Sequence, residues 1–253
     1  MIFENKINAI PRLKLLVYAY AGTGKTWMAC ANPKLKVLYL YTERQAESTI
    51  AIVRKAGMVH PESEFIFVEN TQVFFTLKDK IEQNLGKFHL LVFDTLDDYE
   101  EMASSEIAIA SKSNTKTAAA CDDYGRSAAS RDAELAYLIT WIRNLDIHVL
   151  ALAHPLEREQ AIGEGKTAVK KSRMEIRFAG KRNSDAAAQK FNAVAMMSKR
   201  RVDGQEARTL VFRGRGDTLL KDLPYFDDKE TADFTALLKK HVEFYRSNEQ
   251  KVE

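Results

Sequence analysis

The chain has 253 residues, a formal net charge of +3 and an apolar fraction of 45%. This length suffices for one large α/β domain, and the charge is too small for the general positive field of a strongly basic nucleic-acid binder. Two cysteines and five scattered histidines exclude a disulfide framework and a structural zinc site. Neither an apolar run of transmembrane length nor a signal-peptide pattern is present, so we expect a cytoplasmic protein without membrane contact.

A phosphate-binding pattern follows the first apolar run. Residues 13–18 predict a buried strand, and the next residues fit Gly-x-x-x-x-Gly-Lys-Ser/Thr with alanine at the first position. A strand before the loop and a helix after it are the context that this motif requires. The predicted nucleotide-binding residues are Ala19, Tyr20, Ala21, Gly22, Thr23, Gly24, Lys25, Thr26 and Trp27.

The residue types in this loop suit a polyphosphate. Gly22 and Gly24 let backbone N–H groups turn towards an anion, and the helix that begins near Gly24 adds further N–H groups. Lys25 reaches the β- and γ-phosphates, and the Thr26 hydroxyl can hold Mg²⁺. The ordinary alternative is a glycine-containing turn that carries a lysine by chance. The pattern therefore predicts ATP and Mg²⁺ as cofactors.

Strands and helices alternate along the rest of the chain. Apolar runs predict strands at residues 36–41, 64–68, 88–94 and 147–153. Helical spacing predicts helices at residues 45–56, 73–85, 97–110 and 124–144. This alternation is typical of a mostly parallel sheet flanked by helices.

The connecting and final segments are less regular. Residues 111–120 are small and polar and predict a mobile loop, and the charged residues 157–173 predict a loop or a flexible hairpin. Strand-type runs at 191–197 and 207–212 flank Asp203-Gly204, which is a strong hairpin signal. A C-terminal helix is predicted at 231–246. We expect a lead-in at 1–12, one ATPase domain at 13–246 and a polar tail at 247–253.

Two acids end predicted strands at the edge where the nucleotide would lie. Asp94 ends an apolar run, and an acid at the carboxyl end of a buried parallel strand is predicted to bind Mg²⁺, although an aspartate also ends strands for turn reasons. Thr95 follows it, so the glutamate that many AAA+ ATPases place there is absent. Glu43 is then the candidate that activates water, with a surface acid as its alternative. Asp97 and Asp98 are weaker candidates, because we expect them to begin the next helix.

Four segments in this order resemble the RecA-fold ATPases. They are LLVYAYAGTGKT at 15–26, VLYLYTE at 37–43, LLVFDT at 90–95 and LALAH at 150–154. Within that group the sequence is most similar to compact phage-encoded RecA-like proteins, described as ATP-binding proteins or single-strand annealing recombinases. The resemblance covers about residues 12–220. It implies a RecA-like P-loop NTPase fold with a mostly parallel central sheet, flanking helices and a late antiparallel hairpin.

The resemblance also implies roles for individual residues. Glu43 corresponds to the acid that activates water, and His154 to the polar residue that senses the γ-phosphate at the end of a strand. Arg213 and Arg215 resemble the basic pair that reaches the ATP of a neighbouring subunit. Activity would then require a homo-oligomer, either a ring or a filament. The lead-in is too short to match the N-terminal domain of full-length recombinases.

The expected partners are single-stranded DNA and a single-strand binding protein. Basic residues in and after the segment 157–173 are the candidates for contacts with DNA phosphates, as is the basic cluster at 199–201. The candidates before that cluster are Lys166, Lys170, Lys171, Arg173, Lys181 and Arg182. Two other functions stay open, a nucleotide-switched adaptor or loader for a helicase or packaging motor, and a nucleotide kinase.

Overall fold

A computed structural model describes residues 10–114, 123–162, 169–178, 181–202, 204–213 and 218–249. Eight strands form one sheet in the order β10-β9-β8-β1-β5-β4-β2-β3, and β6 pairs with β7 in a separate two-stranded sheet. The strands are β1 (Lys14–Tyr18), β2 (Val37–Tyr41), β3 (Glu64–Phe67), β4 (Leu90–Asp94), β5 (His148–Ala153), β6 (Pro155–Ile162), β7 (Val169–Ile176), β8 (Ala193–Val202), β9 (Gln205–Val211) and β10 (Lys229–Thr231).

Helices cover both faces of the large sheet. They are α1 (Lys25–Cys30), α2 (Ala46–Lys55), α3 (Thr71–Asn84), α4 (Leu96–Asn114), α5 (Asp123–Asn144), α6 (Lys181–Lys190) and α7 (Phe234–Glu249), with a 3₁₀ turn at Leu85–Lys87. The predicted fold class is confirmed: β1 to β5 and β8 run parallel, and β9 and β10 extend the sheet as antiparallel neighbours.

Strand β1 lies at the centre of the sheet between β5 and β8. All five of its residues are buried, which explains why residues 15–18 are apolar without alternation. Leu16 and Tyr18 pack into one core with side chains from α3, α4, α5 and α6. Leu15 and Val17 pack into a second core, on the opposite face, with side chains from α1, α2 and α7. Packing on both faces fixes the strand that leads into the phosphate-binding loop.

Two predicted helix boundaries are corrected. Helix α4 continues to Asn114, so the predicted mobile loop at 111–120 is helical in its first four residues, and its remainder lies outside the described residues. Helix α7 begins at Phe234 rather than at residue 231, because Lys229–Thr231 pairs with β9 as β10. The Asp233 carboxylate then accepts a hydrogen bond from the backbone N–H of Ala236 at 3.1 Å, which caps the helix.

For residues 157–173 the sequence predicts either a loop or a flexible hairpin, and the described part of this segment belongs to a hairpin. Strands β6 and β7 pair along eight registered positions from Pro155–Ile176 to Ile162–Val169. The hairpin is tied to the domain at its base, where Arg177 donates its backbone N–H to the His154 carbonyl at 2.8 Å. The basic residues of β7 therefore belong to a separate ribbon that starts beside the end of β5.

None of the helices within the described ranges is long and apolar enough to span a membrane.

Candidate nucleotide site

The phosphate-binding loop connects β1 to α1. Gly22 and Gly24 have φ angles of +76° and +97°, a backbone conformation that residues with a side chain rarely adopt. Thr23 donates its hydroxyl to the Tyr20 carbonyl at 2.6 Å, which closes the turn. Ala19 is buried at the end of β1, whereas Tyr20 is half exposed. The two glycines are thus required by the shape of the loop.

The Lys25 side chain lies along the inside of the loop. Its Nζ donates to the Ala19 carbonyl at 2.6 Å and lies 3.5 Å from the Tyr20 carbonyl oxygen. Burial lowers its pKa, and the neighbouring carboxylates, Asp94 foremost among them, act in the opposite direction. A buried ammonium group held by neutral carbonyls can exchange them for phosphate oxygens at little structural cost.

Asp94 connects the predicted Mg²⁺ ligands. Its Oδ2 atom accepts hydrogen bonds from the Thr26 hydroxyl at 2.9 Å and from the Tyr39 hydroxyl at 2.6 Å. Burial raises the pKa of this carboxyl group, while the two hydroxyls favour its charged form. Mg²⁺ prefers oxygen ligands, so the adjacent hydroxyl of Thr26 and carboxylate of Asp94 fit that ion. Nothing in the local sequence around Tyr39 indicates that it supports Asp94.

Glu43 lies at the carboxyl end of β2, as predicted, beside two other ionisable groups. One ligand atom each from Glu43, Asp98 and His154 lies within 4.8 Å of the others. Burial, followed by a hydrogen bond with Asp98, raises the pKa of Glu43 to about 8. The hydrogen bond joins the two carboxyl groups as a pair. Such a pair can exchange protons with a water molecule beside it.

His154 follows β5 directly and is held by Asp97. The Asp97 carboxylate accepts the backbone N–H of His154 at 3.0 Å, and the imidazole Nδ1 lies 2.9 Å from Asp97 Oδ2. This contact is the main cause of the raised pKa of His154. Asp97 does begin α4, as expected from the sequence, but it also orients the histidine. Because β4 and β5 are neighbours, an acid just past β4 is placed beside the end of β5.

One cavity of about 320 Å³, a volume typical of small-molecule sites, is lined by Lys25, Thr26, Glu43, Asp94 and His154 together with other residues. The lining residues come from the loop, α1, the ends of β2, β4 and β5, α2 and β9. They are Ala21, Gly22, Gly24, Lys25, Thr26, Trp27, Glu43, Gln45, Ala46, Thr49, Asp94, Thr95, His154 and Arg208. Arg208 was not predicted, because nothing in the local sequence distinguishes it from other charged residues of the hairpin.

Of the residues predicted to contact DNA or the ATP of a neighbouring subunit (the finger residues), Arg173 and Arg213 have described side chains, and neither lines this cavity. Arg213 forms ion pairs with Asp222 at 2.6 Å and Asp228 at 3.0 Å. Arg173 pairs with Asp185 at 3.1 Å. Arg215 and Lys166 lie outside the described residues. The backbones of four others are described, but their side chains are not: Lys170 and Lys171 on β7, and Lys181 and Arg182 on α6. Their roles stay predictions.

Comparisons with known proteins give one family and a distant structural likeness. The family described as an AAA domain matches residues 12–221, which include β1 to β9 and the whole cavity. A KaiC-like protein from the hyperthermophilic archaeon Pyrococcus horikoshii OT3 is similar in structure, with a TM-score of 0.40 and 10% identity. The likeness covers 78% of this chain and 76% of that chain. No curated protein matches the sequence.

Proposed function

Because the chain belongs to the AAA domain family, we propose that it is a Mg²⁺-dependent ATPase of DNA recombination or repair. It would bind single-stranded DNA and promote annealing or strand pairing. One observation carries the ATPase part: Lys25, Thr26, Asp94 and Glu43 line the same cavity. These residues supply phosphate binding, two metal ligands and a proton acceptor, which together are what ATP hydrolysis needs.

In this proposal each group has a distinct task. Lys25 would bind the phosphate oxygens, and Thr26 with Asp94 would hold Mg²⁺, which would neutralise phosphate charge. Glu43 accepts a proton from the water that attacks the terminal phosphorus. Burial and the hydrogen bond with Asp98 raise the pKa of Glu43, so its carboxylate form binds a proton more strongly than an ordinary glutamate does. His154, held by Asp97, lies 3.7 Å from Glu43 and can donate to a terminal phosphate oxygen.

Glu43→Gln tests the hydrolytic step. Glutamine keeps the size and hydrogen bonding of the side chain but cannot accept a proton, so we expect kcat to fall by about 10²- to 10⁴-fold with little change in the Kd for ATP. Glu243→Gln, an exposed change on α7, is the matched control and should leave both constants unchanged. Unchanged turnover in the Glu43 variant would remove this residue from the mechanism.

The DNA part of the proposal has a separate basis. It rests on the resemblance to RecA-like annealing proteins and on basic residues carried by the β6–β7 hairpin. ATP hydrolysis should be measured with and without single-stranded DNA, at low and moderate salt, with Lys25→Ala as the inactive reference. Stimulation that declines with salt supports action on DNA, because phosphate contacts release counterions. Turnover indifferent to DNA would instead favour a nucleotide-switched adaptor or loader.

A further inference from the structure

Arg208 extends from β9 over the phosphate-binding loop. It faces Lys199 in the β8–β9 register, and β8 in turn pairs with β1, the strand that leads into the loop. A Cβ atom placed on Gly24 would lie 2.7 Å from Nε of Arg208 and 3.2 Å from its Cζ. The guanidinium group therefore rests against the Gly24 backbone, and only glycine allows that approach.

The Nε–H group of Arg208 is buried and has no hydrogen-bond partner among the described residues. One terminal nitrogen, Nη2, lies 3.6 Å from the Glu206 carboxylate, which also pairs with Lys199 at 2.6 Å. A buried donor without an acceptor destabilises the fold that contains it. Arg213, just past the same hairpin, has by contrast two carboxylate partners in its own chain. Arg208 lines the cavity that contains Lys25, so the partner that suits its free donor is an anion in that cavity.

We propose that Arg208 binds the α- and β-phosphates of a nucleotide held by the loop of the same chain. This inference rests on the proposed nucleotide binding and adds to it a ligand that the P-loop motif does not include. In P-loops the loop backbone holds the α- and β-phosphates. Arg208 lies against this loop at Gly24. Arginine can bind two phosphate oxygens at once through its planar fork of donors.

A consequence separates this role from that of a finger supplied by another subunit. A finger residue contacts the γ-phosphate and acts on hydrolysis, whereas a ligand for the α- and β-phosphates is already needed for ADP. All the residues needed for tight ADP binding would then come from one chain. Removal of the Arg208 side chain should weaken ADP and ATP equally, and removal of the Arg213 side chain should leave ADP affinity unchanged.

The test is calorimetric binding of ADP, ATP and adenosine to the full chain and to Arg208→Ala, Arg208→Lys and Arg143→Ala. Arg143 is an exposed arginine in the last turn of α5, outside the cavity, and serves as the matched control. We expect Arg208→Ala to weaken ADP and ATP by about 10- to 100-fold, since hydrogen bonds to charged groups have that magnitude. Arg208→Lys should recover part of the affinity, and adenosine affinity should be the same in all four proteins.

Thermal unfolding without nucleotide shows whether Arg208→Ala weakens ADP binding only by destabilising the fold. Because Arg208→Ala removes a buried donor that lacks an acceptor, its Tm should equal or exceed that of the wild type, while the rise in Tm on adding ADP should shrink. A lower Tm without nucleotide and an unchanged ADP affinity would overturn the proposal.

The binding data also distinguish this proposal from the proposed function. Wild-type protein that binds ADP but hydrolyses no ATP would contradict the ATPase proposal, while the role of Arg208 would still be decided by the affinity of Arg208→Ala for ADP. Hydrolysis in the wild type with equal ADP binding by Arg208→Ala would contradict only the role of Arg208. Absence of any nucleotide binding by the wild type would overturn both.

Discussion

Gly24 is a residue at which the phosphate-binding loop contacts Arg208 of β9. Its φ of +97° penalises any side chain, and a Cβ atom would also meet Arg208 Nε at 2.7 Å. Gly22 has a similar φ of +76° but open space around its Cβ position. A comparison of substitutions at the two glycines therefore separates the cost of backbone strain from the cost of contact with Arg208.

We expect Gly24→Ala to lower the free energy of unfolding by more than Gly22→Ala does. Strain alone costs about 1–2 kcal/mol at either position, and only Gly24→Ala must also displace Arg208. Chemical denaturation of both variants, each alone and combined with Arg208→Ala, measures the two contributions. The excess cost at Gly24 should disappear in the Arg208→Ala background. If Gly24→Ala lowers the free energy of unfolding equally with and without Arg208, the contact between Arg208 and Gly24 does not affect stability.

At this scale the sequence predicted the residues that belong to a local motif. Lys25 and Thr26 follow from the loop pattern, and Asp94 follows from its position at the end of an apolar strand. Tyr39 and Arg208 could not be predicted, because their partners are set by which strands are neighbours in the sheet. The order of the strands is a property of the whole fold and cannot be inferred from the residue pattern of one segment.

Among the elements, the β6–β7 hairpin carries several of the residues proposed to contact DNA. Lys170 and Lys171 occupy consecutive register positions of β7, opposite Ala161 and Gln160. If DNA phosphates contact the ribbon at both positions, each lysine contributes to the salt dependence of binding. If they contact it at one position, only one lysine does.

We expect the double variant Lys170→Ala/Lys171→Ala to weaken single-stranded DNA binding. The slope of log K against log salt should fall by about 0.7 for each phosphate that the protein no longer neutralises. Fluorescence anisotropy at several salt concentrations gives both values. Removal of two exposed charges from α7 in Lys239→Ala/Arg246→Ala is the matched control and should change neither value. A slope equal to that of the wild type would place the DNA elsewhere on the surface.

Helix α6 and strand β10 were not predicted from the sequence, because neither has a clear apolar pattern. Helix α6 has ten residues, and its buried residues include Ser184, Ala187 and Ala188, which are too small to give a clear apolar stripe. Alanine is nevertheless the best helix former, and the segment is held where Ser184 donates to the Ile176 carbonyl at 2.8 Å. Strand β10 has three residues, and its pairing with β9 is decided by tertiary contacts.

Across the whole molecule, two histidines join β5 to the C-terminal helix. His148 Nδ1 accepts the Leu13 backbone N–H at 2.9 Å, and His241 Nε2 donates to the Pro11 carbonyl at 2.6 Å. His241 Nδ1 accepts the hydroxyl of Tyr225. Both rings are therefore held in the neutral form, and their centroids are 5.9 Å apart. Arg12 and Lys14, with Asp146 opposing them, also face His148.

Burial lowers the pKa of His148 from 6.5 to about 4, and burial also lowers the pKa of His241. Below pH 6.5 the unfolded chain therefore binds protons that the folded chain excludes. The stabilisation of the folded state by the two neutral histidines is complete above pH 6.5 and is lost as the pH falls towards 4. We expect the free energy of unfolding to fall between pH 7 and pH 4.5, and to fall less in His148→Asn, whose side-chain oxygen can still accept the Leu13 N–H. His89→Asn, an exposed change, is the control and should follow the wild-type profile. Identical profiles for His148→Asn and the wild type would exclude this cause.

The central position of β1 also has a consequence for biosynthesis. Its two neighbours, β5 and β8, lie far along the chain, so β1 leaves the ribosome long before either of them exists. Translation at roughly 5–20 residues per second needs on the order of 10–40 s to pass from β1 to β8. During much of that interval the apolar strand β1 has no partner strand and is exposed to chaperones that bind nascent chains. The sheet on both sides of β1 is complete only after β8 has been made, so a nucleotide bound at the finished site can stabilise the fold only late in synthesis.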